Sequence, residues 1–278
     1  MARIIITGAN RGLGKHAAEL LANAGHSLIL ACHNITAAEE SCRTLHTKCG
    51  NRDIHAMKLD LTDRASIRDF VSDFRKRFAD LDILINNAGI ITQKAGWTPE
   101  GLELTSATNY FGHYLLTRLL LPCFSSGNGD KRIVNLVSVI YPYGRAYRFE
   151  CLHRYRWVRA YAVSKYMILQ STLALAESLK SRGICVNAVD PGIVNTSIMF
   201  TQKWYDSIIN LILRPFYIPY ADGAARICEV ALAPELRHVS GCCFRKGNAL
   251  PLKKSDADTR ALNNLITTTD ALLGLDPL

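Results

Sequence analysis

Short apolar runs alternate with longer amphipathic stretches over nearly the whole 278-residue chain. Runs dense in Ile, Val and Leu stand at "RIIIT" (3–7), "SLILAC" (27–32), "DIHAMKL" (53–59), "DILIN" (82–86), "KRIVNLVS" (131–138) and "ICVNAV" (184–189), with a seventh at "SGCCF" (240–244). Continuous apolar runs of this kind predict strands buried on both faces of a parallel sheet. Between them, apolar positions at helical spacing predict helices near 13–24, 36–48, 63–78, 99–124, 161–182 and 221–233. This βα alternation predicts a doubly wound α/β fold with helices on both faces of the sheet. No repeat, low-complexity tract or linker divides it, so residues 1–278 are read as a single domain.

Composition narrows the picture without changing it. The chain is 49% hydrophobic and 21% charged, which suits a folded core and not a disordered chain. Of the net charge of +9, an excess of +4 falls in 141–159, where five arginines accompany only Glu150. A diffuse basic balance attracts anionic lipid, nucleic acid or a phosphorylated cofactor. No nucleic-acid motif is present, so a nucleic-acid partner is not expected. The nine cysteines are scattered, with no CxxC pair and no His cluster at metal spacing. No metal is therefore expected, and the odd thiol count suits a reducing, cytoplasmic compartment. "MARIIITG" enters a strand at once, leaving no room for a signal peptide, and no apolar stretch approaches the roughly 20 residues that span a bilayer.

The first strand runs into "TGANRGLGKH", with Gly8, Gly12 and Gly14. Glycines there permit a tight turn and let backbone N–H groups reach a pyrophosphate at a helix N-terminus. The spacing is G-x-x-x-G-x-G, between a buried strand and a helix, which points to a dinucleotide. At the end of the second strand, Cys32, His33 and Asn34 supply no carboxylate for the ribose hydroxyls of NAD. Arg11, with Lys15 and His33, is placed to meet a 2′-phosphate instead, so NADP(H) is favoured over NAD(H).

In "AYAVSK", Tyr161 precedes Lys165 by four residues, a spacing that puts both on one helix face. Many Tyr and Lys pairs share that spacing, so it decides nothing alone. Its company does. "TGANRGLG", "LDLTD", "NNAG", "NYFGHYLLT", "RIVNLVS", "YAVSK" and "DPGIVNT" occur in the order seen in short-chain dehydrogenases/reductases. The chain resembles that family over about residues 2 to 275, and above all its retinol-dehydrogenase-like branch, through 112–117, 240–244 and 272–275.

The resemblance implies a Rossmann-type fold and a set of roles. Gly8, Asn10, Arg11, Gly12, Leu13 and Gly14 would hold the dinucleotide phosphates. Asp60 and Leu61 would border its adenine, and Asn87, Ala88 and Gly89 its ribose. Ser138, Tyr161, Lys165 and Asn109 match the family's catalytic set, the asparagine through a water that connects the lysine to solvent. Pro191, Gly192, Ile193 and Thr196 match the segment lining the nicotinamide. Hydride transfer to a carbonyl builds negative charge on oxygen, which Ser138 would stabilise and Tyr161 would protonate. A tyrosine ordinarily titrates near pH 10, and the Lys165 ammonium together with the positive nicotinamide of the oxidised cofactor is expected to lower Tyr161 from there. Asp60 is also a candidate cap for the following helix, with Thr62 the better placed, and Asn86 is read as supporting its strand end.

The chain departs from the family in carrying Val137 for a second serine, Asp190 where the branch often has histidine, and His33 and Asn34 where NADP-using relatives often have arginine and aspartate. Ser138 and Tyr161 lie 23 positions apart, and the intervening 141–159 holds six aromatics and five arginines, predicting a substrate loop. In 197–220, Phe200, Trp204, Ile208 and Ile212 recur at helical spacing, predicting a lid or a face for peripheral membrane contact. The expectation is an NADP(H)-dependent oxidoreductase acting on a lipophilic small molecule, forming a homodimer or tetramer through the helices near 109–124 and 161–182. The rival is a non-catalytic nucleotide sensor or scaffold that keeps the fold.

Overall fold

Alternate residues of one strand face opposite helical layers, and the isoleucines of the first strand show it. Ile4 and Ile6 pack with Ala18, Leu21 and Ile227, whereas Ile5 packs with Phe70, Phe74 and Leu115. All three are wholly buried. A computed structural model describes residues 1–124, 129–145, 155–194 and 217–278. In it the strands are β1 (Arg3–Thr7), β2 (Ser27–Cys32), β3 (Ile54–Lys58), β4 (Ile83–Asn86), β5 (Lys131–Leu136), β6 (Ile184–Asp190), β7 (Cys243–Arg245) and β8 (Asn248–Ala249). They form one sheet in the order β3-β2-β1-β4-β5-β6-β7-β8. The pairs from β3 through β7 are parallel, and β7–β8 is antiparallel.

The helices are α1 (Gly12–Asn23), α2 (Ile35–Cys49), α3 (Arg64–Arg77), a short α4 (Leu104–Ser106) leading through a π-turn (Ala107–Phe111) into α5 (Gly112–Leu120), then α6 (Tyr141–Gly144), α7 (Trp157–Ser178), α8 (Tyr220–Leu232) and α9 (Thr259–Leu273). Helices α1, α2 and α8 contribute to one apolar layer, and α3, α5, α7 and α9 to the other. Strand order reverses between β2, β1 and β4, so a crevice opens at the carboxyl ends of β1 and β4, where doubly wound sheets bind ligands.

Several boundaries differ from the sequence expectation. The cap of α3 is Asp63, whose side chain accepts from Ala65 N at 2.8 Å. Asp60 and Thr62 are engaged with each other, because one Asp60 oxygen takes both the Thr62 N–H (2.9 Å) and its hydroxyl (2.6 Å). The helix expected over 99–124 starts only at Leu104, where buried Glu103 accepts from Thr105 N and Ser106 N, each at 2.8 Å. The helix expected over 161–182 begins earlier, at Trp157. The hairpin strand β8 and helix α9 were not foreseen. Helix α9 packs on α7 and bonds the π-turn and α5, through Tyr110 to Thr269 and through Tyr114 and Arg118 to Asp270. It thereby covers a face that the expected self-association would use. No helix among the described residues is long and apolar enough to cross a membrane. Residues 146–154 of the expected substrate loop, and 195–216 with most of the expected lid, lie outside the described residues.

Candidate active site

The glycine turn sits at the crevice mouth. Helix α1 starts after Arg11 with no side-chain cap, so its first N–H groups are left for an anion. Gly14 is fixed by packing: a Cβ there would stand 2.4 Å from Asn87 Nδ2 and 2.6 Å from Gly8 O. Asn87 Nδ2 donates to Thr7 O at 2.7 Å, which joins the end of β4 to the turn. Gly8, Asn10, Gly12, Leu13 and Lys15 lie half-buried along this turn, and Arg11 is exposed at its tip. The uncapped helix end fits a dinucleotide phosphate.

At the far end of the crevice, His33 Nε2 stands 3.2 Å from Asp60 Oδ2. The exposed imidazole and the half-buried carboxylate, assigned separate roles from sequence, are therefore neighbours. Burial pushes the Asp60 carboxyl up, but the Thr62 bonds and the charges of His33 and Lys58 outweigh it and hold it below the usual range. Asn34 caps α2, accepting from Ala37 N at 3.0 Å, and Leu61 is buried beside Asp60.

Behind the turn, a chain of bonds fixes the tautomer of buried His113. A carbonyl oxygen only accepts, so Nδ1 carries the proton and donates to Asn109 O at 3.0 Å. Nε2 must then accept, and the Thr7 hydroxyl donates to it at 2.8 Å. The Thr7 oxygen in turn accepts from Asn87 N and Ala88 N, both at 2.9 Å. Burial pushes His113 down to about 4, with the Asn109 bond opposing and the Lys165 charge adding, so the ring is neutral near pH 7. The Asn109 side chain accepts from Ile90 N (2.8 Å) and donates to Ile90 O and Ser164 Oγ (3.0 Å each). It thus fastens the segment after Gly89 to α7. Asn86 behaves as a strand-end support, donating to Thr117 Oγ1 and Asn135 Oδ1.

The Ser138 hydroxyl lies near enough to the Tyr161 phenol to favour its ionised form, and Lys165 Nζ lies 5.7 Å from the centroid of the Tyr161 ring. Lys165 is buried and donates to Leu136 O at 2.8 Å. Burial pushes the Tyr161 phenol up to about 12, the Ser138 hydroxyl opposes, and the Asp190 carboxylate adds to the rise. In the protein alone desolvation sets the direction, and it disfavours the phenolate. Burial likewise lowers Lys165 to about 8, against the attraction of Asp190. Near neutrality the arrangement holds a protonated phenol beside an ammonium, which suits proton donation.

Pro191, Gly192 and Ile193 leave the end of β6 under restraint from three sides. Asp190 Oδ1 accepts from Gly192 N (3.0 Å), Arg226 Nη1 donates to Pro191 O (2.8 Å), and Ile218 N donates to Ile193 O (2.9 Å). Gly192 has φ +94°, and a Cβ there would lie 2.7 Å from Arg226 Nη1. Thr196 lies outside the described residues. Sequence reasoning assigned no role to Thr7, His113, Arg226 or Arg245. The available signals were the threonine opening the glycine turn and the aspartate directly before the Pro-Gly pair.

The model of the short chain dehydrogenase family matches residues 2–205. Retinol dehydrogenase 12 of Bos taurus is 34% identical over 264 residues, spanning 94% of this chain and 81% of that protein. The chain belongs to the short-chain dehydrogenase family, on its retinol-dehydrogenase-like branch. Another relative of this short-chain dehydrogenase is the chloroplastic short-chain dehydrogenase TIC 32 A of Brassica napus, 33% identical over 94% of this chain and 85% of that one. Among solved structures, a metagenomic blue fluorescent protein in complex with NADPH aligns with a TM-score of 0.70 at 26% identity, covering 87% of this chain and 95% of that one.

Proposed function

We propose that the chain interconverts an alcohol and a carbonyl on a lipophilic small molecule, using NADP(H), with Tyr161 as the acid/base. The observation that carries this reading is the convergence of Ser138, Tyr161 and Lys165 beside the crevice that begins at the glycine turn. Gly8, Asn10, Gly12, Leu13 and Gly14 would hold the pyrophosphate, with Arg11 and His33 toward a 2′-phosphate. Asp60 and Leu61 would border the adenine, Asn87, Ala88 and Gly89 the ribose, and Pro191, Gly192, Ile193 and Thr196 the nicotinamide ring. When bound, the reduced cofactor supplies the hydride.

The protein's own work is orientation and proton movement. Ser138 donates to the substrate oxygen and fixes it against Tyr161. Tyr161, protonated at neutral pH, delivers its proton as charge develops on that oxygen. Lys165 keeps a positive charge beside the phenol, favouring the tyrosinate left behind. Asn109 acts by holding the segment after Gly89 in place against α7. The preference for a 2′-phosphate is supported by exposed Arg11 and by the absence of a carboxylate among Cys32, His33 and Asn34. The NADPH bound to the blue fluorescent protein agrees with it. A lipophilic substrate is supported by the retinol dehydrogenases on the same branch and by exposed Val139 and Tyr143 just beyond Ser138.

The test is a fluorescence titration with NADPH and with NADH, followed by a panel of apolar aldehydes and ketones with the tighter cofactor. Tighter NADPH binding and turnover of apolar carbonyls are expected. Cofactor binding without oxidation across the whole panel would favour a nucleotide sensor.

A further inference from the structure

Asp190 is wholly buried at the end of β6, and Arg245 ends β7 directly opposite it in the parallel register. Arg245 Nε and Nη2 both reach Asp190 Oδ2 at 2.7 Å. The other carboxylate oxygen accepts from Gly192 N at 3.0 Å. One side chain thus links a cation, the backbone before Ile193, and the neighbourhood of Tyr161 and Lys165. The neighbouring strand completes the link: Val189, next to Asp190, pairs with Leu136, whose carbonyl takes the Lys165 ammonium.

We propose that Asp190, balanced by Arg245, is a positioning residue that supports the Lys165 ammonium while it shapes the Pro191–Ile193 backbone. This rests on the reading of Tyr161 and Lys165 as the working pair. A buried carboxylate one strand from the Leu136 carbonyl that holds Lys165 acts on both titrating groups in one direction: it favours the ammonium and disfavours the phenolate. Both effects are present, since Asp190 opposes the burial of Lys165 and adds to the rise of Tyr161. Arg245, about one-third exposed, sets how much of that negative charge the pair above experiences.

The other ionisable groups nearby do not titrate where Lys165 does, near pH 8. His113 on α5 is neutral above about 4, and the buried Cys243 thiol on β7 is pushed up to about 12 by burial and by Asp190. Burial also raises Tyr141, and the Arg145–Asp256 pair near it is closed, with bonds of 2.6 and 2.5 Å.

The experiment follows kcat/KM for carbonyl reduction by NADPH from pH 6 to 10 in wild type, Asp190→Asn, Arg245→Met and Arg245→Lys, with circular dichroism to confirm folding. Asp190→Asn removes the charge that helps Lys165 hold its proton, so the alkaline limb moves down by about one pH unit. Arg245→Met leaves the carboxylate to act undiluted, so the limb moves up. Arg245→Lys keeps the charge and the wild-type limb. Opposite displacements are what a merely structural role does not produce. Superimposable limbs in the first two variants, or displacement in the same direction, would overturn the proposal.

Melting temperature against pH supplies a readout free of turnover. Lys165 binds its proton less tightly folded than unfolded, so stability rises with pH from about 8 toward 10.5. That rise begins at lower pH in Asp190→Asn, and an unchanged onset counts against the pair. An inactive wild type whose melting curves still shift as stated would sink the catalytic reading and leave the electrostatic one standing.

Discussion

At the tip of the glycine turn, Arg11 is exposed and sits immediately before the uncapped first turn of α1. Its charge is the one that distinguishes a 2′-phosphate from a hydroxyl most directly. Arg11→Ala is expected to weaken NADPH about tenfold, the scale of one charge-assisted bond, and to leave NADH within about twofold. Equal losses for both cofactors in a fluorescence titration would mean that Arg11 serves the turn and not the phosphate. The pairing of His33 with Asp60 was not legible in sequence, because the two stand 27 positions apart and meet only through the parallel pairing of β2 and β3. The Tyr161–Lys165 spacing was legible, but the direction of the phenol's shift was not. That direction depends on how much water the folded chain removes and on Asp190, which belongs to another strand.

Among the elements, the π-turn of Ala107–Phe111 and the end of β1 are joined by one neutral imidazole. Below pH 6.5 the unfolded chain binds a proton at His113 that the folded chain accepts only near pH 4. Stability therefore falls as pH drops through that window, by up to about 3 kcal/mol from this group alone. Urea unfolding of wild type and His113→Asn between pH 4 and 7 checks this, and the variant is expected to show the shallower pH dependence. Parallel curves would place the acid sensitivity elsewhere. The sheet was readable almost strand by strand, since unbroken runs such as "RIIIT" and "SLILAC" have few other uses. The start of α4 was not, because its cap is Glu103, a residue that sequence rules place inside helices more readily than before them. Helix α9 escaped for a related reason. Its buried positions include Thr269 and Asp270, so the face that it hides is partly polar.

For the molecule as a whole, α9 decides what the α5–α7 face can do. Asp270 is buried against Arg118 and Tyr114, both also buried, so the helix is held by an ion pair with little solvent screening. The chain is expected to run as a monomer of about 31 kDa in light-scattering chromatography, in place of the dimer or tetramer expected from sequence. Asp270→Asn leaves Arg118 without its counter-charge and is expected to cost about 3 kcal/mol in unfolding free energy. A stable wild-type dimer would show that α9 does not block association. The whole site comes together in turnover, and the decisive comparison is wild type against Tyr161→Phe, measuring NADPH affinity and carbonyl reduction on the same preparations. The account predicts affinity within a few-fold and turnover reduced by about a hundredfold or more, the usual worth of a positioned proton donor. Near-normal turnover with the phenol removed would contradict it.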